Sequence, residues 1–225
     1  MELLERIDRM IDERHLLNHP FYTKWADGTL PRQALQEYAR QYYAFESSFP
    51  RYLSALHSRT ERADVRQQLL DNLWDEEHGK ENHAEMWLRF AEGIGVERDD
   101  VRSAPRNEAT KALVDLYGEL SREVPVEAGV AALYAYERQV PQVAGSKIDG
   151  LQKHFGVTDA RTLKFFVVHG VLDIEHSGAE RQMLGLLCEG ADPAPVEDAT
   201  ARALDAWWNF LSAVDQPAME PVAAN

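Results

Sequence analysis

The amino-acid sequence predicts an all-α protein with one helical domain over residues 1–225. Throughout the chain, apolar residues recur at steps of three and four, which is the period of a helix that buries one face. Glycine and proline separate these stretches, and no segment shows the alternation that is typical of a strand or a hairpin. A chain of this length is expected to bury roughly 70–75% of the surface that it exposes when unfolded, so its core has room for a polar centre.

Seven helices are expected in chain order. They cover residues 2–18, 31–57, 64–92, 108–122, 125–155, 158–190 and 197–214. Pro31 and Pro125 suit the first turn of a helix. Pro141 falls inside a helix and predicts a kink, because the carbonyl of Glu137 loses its donor there. This kink either helps to aim Glu137 inward or serves packing alone. The segment after about residue 215 is expected to be a frayed tail.

The charge balance and the single cysteine limit the classes of partner and compartment. The chain has 38 acidic and 24 basic residues and a net charge of −14. This argues against nucleic acid or a membrane as a partner, because nucleic acids and anionic membranes are bound mainly through Lys and Arg. Cys188 has no second cysteine to pair with, which favours a reducing cytoplasm. The charged N-terminus is unlike a signal peptide, and no apolar run approaches the roughly 18–20 residues of a membrane span.

Polar side chains interrupt the apolar stripes of three predicted helices, each time near the middle of the helix. On the helix over 64–92 the stripe reads Leu69, Leu73, Glu76, Lys80, His83, Trp87 and Phe90. On the helix over 125–155 it reads Val126, Val130, Leu133, Glu137, Val140, Ala144, Lys147 and Leu151. On the helix over 158–190 it reads Thr162, Phe166, His169, Asp173, His176, Glu180, Met183 and Leu187. The central polar residues form the candidate site: Glu76, His83, Glu137, His169, Asp173 and His176.

Two divalent cations would explain why these side chains point to the interior. Each buried, ionised carboxylate costs several kcal/mol when nothing compensates its charge. Two cations and a bridging hydroxide would neutralise the three carboxylates. Carboxylate and imidazole ligands suit iron or manganese, whereas a structural zinc site favours cysteine. On a continuous helix, Glu76 and His83 lie about 10.5 Å apart along the axis, which favours a pair of ions over one.

Each of these residues also has an ordinary structural interpretation. A single buried His or Glu is usually a hydrogen-bonded core residue, and only the three helices together favour a metal centre. A competing stripe keeps Glu77 as a reserve candidate beside Glu76. The Glu-x-x-His pair of ferritin-type bundles is absent, because Lys80 stands three residues before His83.

Motifs around these positions resemble CADD-type proteins, a family named after a chlamydial protein associating with death domains. The motifs are His19-Pro20-Phe21-Tyr22, Asn72-Leu73-Trp74-Asp75-Glu76-Glu77, Asn82-His83, Tyr136-Glu137-Arg138-Gln139-Val140-Pro141 with Lys147, and His169-x3-Asp173-x2-His176. The resemblance covers about residues 2–215 and all six candidate ligands. It implies a heme-oxygenase-like seven-helix bundle, related to PqqC and TenA and usually dimeric. It also implies two bound ions, Fe/Fe or Mn/Fe, that activate O2.

The resemblance further implies a role in folate metabolism, the formation of para-aminobenzoate. In that family a tyrosine of the protein becomes the aromatic product and a lysine supplies the amino group; by motif these are Tyr22 and Lys147. From the residues alone, Lys147 is either a buried amine with a lowered pKa or a lysine whose amine reaches solvent. Tyr38, Tyr136 and Tyr43 are further candidates, although a row of aromatic rings usually serves core packing.

Other functions remain open at this point. A related oxidase would act on a free small molecule, and a metal-free PqqC-like oxidase would not need three carboxylates grouped with three histidines. A TenA-like hydrolase needs a cysteine nucleophile, and Cys188 lies away from the centre; a haem protein would use His15 or His19. An interaction protein is the last class, but no exposed hydrophobic motif supports death-domain association.

Overall fold

The computed structural model describes residues 2–215, and within them the chain is helical without any strand, as predicted. Its α-helices are α1 (Leu3–Glu13), α2 (Pro20–Asp27), α3 (Arg32–Glu46), α4 (Phe49–Arg59), α5 (Ala63–Glu77), α6 (His83–Gly93), α7 (Arg98–Ser103), α8 (Glu108–Arg122), α9 (Val126–Glu137), α10 (Val140–His154), α11 (Ala160–Leu187) and α12 (Ala194–Val214). In this part of the chain, no helix combines the length and apolar composition that crossing a membrane requires. The predicted tail after residue 215 lies outside the described residues.

Prolines divide two of the predicted helices. The expected helix over 31–57 is interrupted between α3 and α4, just before Pro50. The one over 125–155 is interrupted between α9 and α10, just before Pro141. Proline lacks the amide proton that a helix needs and its ring clashes with the carbonyl four residues earlier. The kink predicted at Pro141 is therefore confirmed.

The start of the chain and one loop also contain more helices than the sequence predicts. In place of one helix over 2–18, α1 ends at Glu13 and a 3-10 turn follows over Leu16–Asn18. Pro20 then starts α2, with the side chain of His19 accepting a hydrogen bond at the N-cap. The short helix α7 lies within the loop expected before α8.

The prediction of one helix over 64–92 is wrong in its middle, where the chain leaves helical geometry between α5 and α6. Gly79 has a φ of 83°, a left-handed conformation that glycine adopts without the steric cost of a Cβ. Asn82 then caps α6, because its side chain accepts a hydrogen bond from the first turn. Glu76 and His83 therefore do not lie two turns apart on one helix, and the spacing argument for two ions is wrong.

Helix α9 lies in the interior and packs against α11 and α12. All of its residues from Ala128 to Glu137 are buried, because small side chains let the neighbouring helices approach closely. A Cβ at Gly129 would lie 2.5 Å from Leu56 Cδ2 and 2.6 Å from the carbonyl oxygen of Leu120. This position requires glycine, because α9 passes close to α4 and α8 there.

Candidate metal centre

Two overlapping groups of buried side chains have the residue types and spacing to hold metal ions. Ion site 1 consists of Glu46, Glu76, His83 and His169, and ion site 2 consists of Glu76, Glu137 and His176. Within each site, one ligand atom per residue lies within 4.8 Å of the others. Glu76 belongs to both sites, so its carboxylate could serve as a ligand of either ion.

In ion site 1, the distances between polar atoms fit shared coordination. His83 Nδ1 lies 2.8 Å from Glu76 Oε2, yet the two atoms are not aligned as a hydrogen bond, and Nδ1 has no other partner in residues 2–215. Two ligands that are each about 2.1 Å from one octahedral ion lie roughly 3 Å apart. His169 Nδ1 lies 2.8 Å from the carbonyl oxygen of Phe165 and donates to it, which leaves Nε2 free as a ligand.

In ion site 2, hydrogen bonds orient His176 and Glu137, the two ligands that do not also belong to ion site 1. His176 Nε2 lies 3.2 Å from Asp75 Oδ2, while its buried Nδ1 has no hydrogen-bond partner among the described residues. Asn72 Nδ2 lies 3.2 Å and 3.3 Å from the carboxylate oxygens of Glu137 and donates to them. Glu180 is buried beside Glu137, and its carboxylate oxygens have no donor in the described part of the chain.

The crowding of buried carboxylates changes their protonation. Burial and the neighbouring Glu76 carboxylate raise the pKa of Glu46 to about 8. Burial, with Asp173 nearby, raises the pKa of Glu137 to about 8, and burial raises the pKa of Asp173 to about 6. Burial and Glu137 raise the pKa of Glu180 well above its ordinary value. The ionised forms of these groups are unfavourable in the protein alone, and a cation would stabilise them.

The three histidines respond to the same charges in opposite directions. Burial acts to lower the pKa of His83, but Glu76 outweighs it and raises the value to about 9. Burial is likewise outweighed at His176, where Asp173 raises the pKa to about 10. Burial and the nearby His83 lower the pKa of His169 well below its ordinary value. A bound cation would compete with the protons on the first two rings.

The residues present fit two divalent ions. Buried side-chain atoms without a hydrogen-bond partner in residues 2–215 concentrate here: Glu46 Oε1, Asn72 Oδ1, His83 Nδ1, His176 Nδ1 and both carboxylate oxygens of Glu180. Each such atom costs about 1–3 kcal/mol, and ions would satisfy several of them together. If Glu180 keeps its proton, the four other carboxylates balance two divalent ions without a bridging hydroxide. Oxygen and imidazole ligands without thiolate suit iron or manganese.

Five of the six predicted ligands fall into the two ion sites, and Glu76 rather than Glu77 is the buried member of its pair. Asp173 enters neither site. It is buried on the same face of α11, with Oδ1 3.6 Å from His176 Nδ1. That Asp173 is a ligand of either ion stays a prediction.

Sequence reasoning missed Glu46 as a ligand and left Glu180 unassigned within its stripe. A signal for Glu46 is present: Pro50 follows it by four residues, just as Pro141 follows Glu137. In both cases the glutamate is the last residue of a helix that the proline interrupts. Glu180 carries no such signal, because only its contact with Glu137 distinguishes it from an ordinary buried acid.

Beside the centre, three tyrosine rings lie around a buried amine, and a fourth tyrosine contacts one of them. This aromatic–lysine cluster consists of Tyr22, Tyr38, Tyr42, Tyr136 and Lys147. Lys147 Nζ lies 2.7 Å from Tyr38 OH and donates to it, and Tyr38 OH lies 3.4 Å from Tyr22 OH. Burial lowers the pKa of Lys147 to about 7. Of the two interpretations of Lys147, the structure supports the buried amine, since the residue is only 5% exposed.

A second pair of hydroxyls links the cluster to ion site 1. Tyr42 OH lies 2.5 Å from Tyr136 OH, and Tyr42 also contacts the carboxylate of Glu46. Tyr43, by contrast, lies on the other side of α3 and lines a surface hollow with Arg40 and Arg102. Among the candidate tyrosines, the structure therefore groups Tyr136 with Tyr22 and Tyr38 but not Tyr43.

The residues on which the haem and hydrolase alternatives depend lie elsewhere. Both ring nitrogens of His19 are engaged, Nε2 with Ser212 Oγ at 3.0 Å and Nδ1 with the amide of Phe21 at 3.1 Å. His15 Nδ1 accepts from the amide of Leu17. Cys188 follows the last residue of α11, more than three turns beyond His176.

The chain is similar to known proteins over most of its length. The family model described as "Iron-containing redox enzyme" matches residues 36–208. A 4-aminobenzoate synthase of Chlamydia pneumoniae is 40% identical over 209 residues, which cover 93% of this chain and 93% of that protein. A 4-aminobenzoate synthase of Nitrosomonas europaea is 39% identical over 222 residues, covering 94% and 90%. A domain with a heme oxygenase-like fold from Shewanella denitrificans superposes with a TM-score of 0.73 at 20% identity, covering 96% of each chain.

Proposed function

This chain belongs to the family of iron-containing redox enzymes, and we propose that it activates O2 at two metal ions to form 4-aminobenzoate for folate. The aromatic ring would come from its own Tyr22, and the amino group from Lys147. The similarity to 4-aminobenzoate synthases supports the product, and the buried donor groups of the chain support the internal substrate.

The observation that carries this proposal is a buried series of contacts beside the metal centre, which runs from the Lys147 amine to the Tyr38 hydroxyl and from there to the Tyr22 hydroxyl. Lys147 Nζ reaches Tyr38 OH at 2.7 Å, and Tyr38 OH lies 3.4 Å from Tyr22 OH. Lys147 Nζ also lies 5.5 Å from the centre of the Tyr22 ring. A nucleophile and an oxidisable ring are thus held together out of contact with water.

The two ion sites supply the ligands for the proposed cofactor. Glu46, Glu76, His83 and His169 would hold one ion, and Glu76, Glu137 and His176 the other. When bound, the ions would supply the activation of O2. Both an Fe/Fe and an Mn/Fe pair suit these ligands, because first-row divalent ions compete for the same oxygen and nitrogen donors.

The cluster residues would prepare the substrate groups. With its pKa lowered to about 7 by burial, Lys147 is neutral in a large part of the molecules at neutral pH, and its nitrogen lone pair is then available. Tyr38 OH accepts the hydrogen bond from Lys147 and so fixes the amine near the Tyr22 ring. The indole of Trp25 donates to the carbonyl oxygen of Lys147 at 3.2 Å, which holds this part of α10 against α2.

The proposed chemistry consumes two side chains of the protein. The Cα–Cβ bond of Tyr22 breaks, which leaves glycine at this position, and Cβ is oxidised by four electrons in net terms to the carboxyl group of the product, with one O2 supplying both of its oxygens. The nitrogen of Lys147 replaces the phenolic oxygen on the ring, its own Cε–Nζ bond breaks, and Cε takes the displaced hydroxyl. O2 is the oxidant, and each protein chain yields at most one product molecule.

Mass spectrometry after exposure to O2 tests this proposal. Protein loaded with Fe²⁺, or with Mn²⁺ and Fe²⁺, without oxygen should yield up to one equivalent of 4-aminobenzoate on exposure to air. The peptide with Tyr22 should lose its aromatic side chain. Tyr22→Phe should give no product, whereas Tyr43→Phe, a matched change outside the cluster, should behave as the wild type.

A different result would favour the related oxidase that acts on a free small molecule. In that case an added substrate would be turned over many times while the mass of the protein stays unchanged. A product that forms without any metal would instead favour the metal-free, PqqC-like alternative.

We also propose that the protein is a homodimer in the cytoplasm. The CADD-type resemblance supports the dimer, and the presence of a single cysteine supports a reducing compartment. Light scattering in solution measures the first, and fractionation of cells that make the protein measures the second.

A further inference from the structure

The two histidines of α11 that enter the ion sites are oriented by different kinds of partner. The ring of His169 is held by the carbonyl oxygen of Phe165 at 2.8 Å, a main-chain group of the same helix. The ring of His176 is held at 3.2 Å by the carboxylate of Asp75, a side chain of α5. The side chain of Asp75 is 41% exposed and that of His176 only 8%. One ligand is therefore fixed from within its helix and the other from the protein surface.

We propose that Asp75 is a positioning residue of ion site 2, and that this site is the weaker and faster-exchanging of the two because its positioning residue is exposed to water. A neutral imidazole carries one proton, and a proton held at Nε2 by Asp75 leaves the lone pair on Nδ1. His176 Nδ1 is buried, lies 3.6 Å from Asp173 Oδ1, and has no hydrogen-bond partner in residues 2–215. It is the atom with which His176 would bind an ion.

The two sites differ in how firmly their ligands are held. Ion site 1 has four candidate ligands and ion site 2 has three. At ion site 1, the hydrogen bond to His169 is buried and lies within one helix, so water does not compete for it. At ion site 2, water reaches Asp75 and competes for its hydrogen bond with His176. The ion at site 2 should therefore leave first.

Asp75 also connects two helices. It precedes Glu76, the ligand that both sites share, and lies in the last turn of α5 before Gly79. Its bond to His176 therefore holds the end of α5 against α11, just before the chain leaves helical geometry. Loss of this bond would release the His176 ring directly, while Glu76 would keep its place opposite His83.

This inference rests on the proposed function, because it requires two bound ions. The test is an anaerobic titration of metal-free protein with Mn²⁺ or Co²⁺, in which calorimetry measures the binding of each ion. The wild type should bind two ions with different affinities. Asp75→Ala should weaken the second ion by about 10- to 100-fold and leave the first unchanged, which is the range for loss of a group that orients a metal ligand. When a chelator removes the ions, release should occur in two phases. Asp75→Ala should accelerate only the faster phase, which is the release of the ion at site 2.

Asp71→Ala is the matched control. Asp71 lies one turn earlier on α5, is exposed, and accepts a hydrogen bond from Gln67. The change removes the same charge from the same helix and should alter neither affinity. Asp75→Asn keeps an acceptor oxygen for His176 Nε2, so its affinity for the second ion should lie between the affinities of the wild type and Asp75→Ala.

The outcomes separate this inference from the proposed function. If the wild type binds fewer than two ions, the dimetal function itself is overturned. If the wild type binds two ions and Asp75→Ala leaves both affinities unchanged, or weakens both equally, the positioning role is overturned. If Asp75→Ala does not fold, Asp75→Asn serves as the test. Its affinity for the second ion must then fall while its affinity for the first ion stays unchanged, and any other result overturns the positioning role.

Discussion

The metal centre and the aromatic–lysine cluster are adjacent and equally buried, yet their polar groups are paired in different ways. In the cluster the polar groups bind one another: Lys147 with Tyr38, Tyr38 with Tyr22, and Tyr42 with Tyr136. In the centre, several carboxylate and imidazole atoms have no hydrogen-bond partner in the described part of the chain. The cluster is complete when the chain folds, whereas the centre needs cations. Metal binding and substrate placement should therefore be separable.

Removal of a ligand should have the largest effect and should be confined to the centre. His83→Ala and His169→Ala, which each remove a ligand of ion site 1, should lose metal and product formation. Loss of a group that only orients a ligand already costs about 10- to 100-fold in affinity, so loss of a ligand should cost more than about 100-fold. Metal analysis and product measurement check this. His57→Ala, a histidine change on α4, should leave both unchanged; loss of product with full metal content in His169→Ala would contradict the assignment.

Removal of the ions should destabilise the protein through the centre alone. An ion that binds only the folded chain stabilises it by about 2.7 kcal/mol at a free concentration of 100 times its Kd. Urea unfolding with and without a chelator should show a difference of at least this size. In the double variant Glu76→Gln, Glu137→Gln the difference should disappear, and equal stability of the wild type under both conditions would contradict the need for cations.

Removal of one hydroxyl from the cluster should cost less, and the metal content should not change. Tyr38→Phe leaves the Lys147 amine without its acceptor, and a buried unpaired donor costs about 1–3 kcal/mol. Urea unfolding measures the cost. Tyr43→Phe on the same helix is the control and should cost little. A Tyr38→Phe variant that loses its metal would show that the two regions are not separable.

Per pH unit, the smallest of these effects is the pH dependence of stability that Lys147 causes. The unfolded chain keeps this proton up to about pH 10.5, the ordinary value, whereas burial lowers the pKa in the folded chain to about 7. Between these values the unfolded state binds more protons, so the free energy of unfolding should rise with pH by at most about 1.4 kcal/mol per unit.

Unfolding of the wild type and of Lys147→Met across pH 7 to 10 isolates this contribution. In Lys147→Met the free energy of unfolding should no longer show this rise with pH, whereas the other titrating groups affect the wild type and the variant alike. A rise of equal steepness in the variant would show that Lys147 is protonated in the folded chain throughout.

The helical class and most ligands could be predicted because they depend on periodicity within single helices. His169 and His176 lie on one continuous face of α11, where spacing in sequence translates directly into spacing in space. The same reasoning found Glu76 and His83 as ligands but gave the wrong spacing between them, because Gly79 ends the helical geometry that would separate them by two turns. It also missed Glu46, whose interior position depends on the break before Pro50 as well as on the helices that α3 meets.

The placement of carboxylates and imidazoles on buried helix faces follows from the sequence alone, since a helical period is a local property of the chain. Which of these side chains meet depends on the fold, because helices that are far apart in sequence pack against one another. Glu46 on α3, Glu137 on α9 and His176 on α11 become neighbours of Glu76 in this way. The pairing of Asp75 with His176, 101 residues apart, has the same origin.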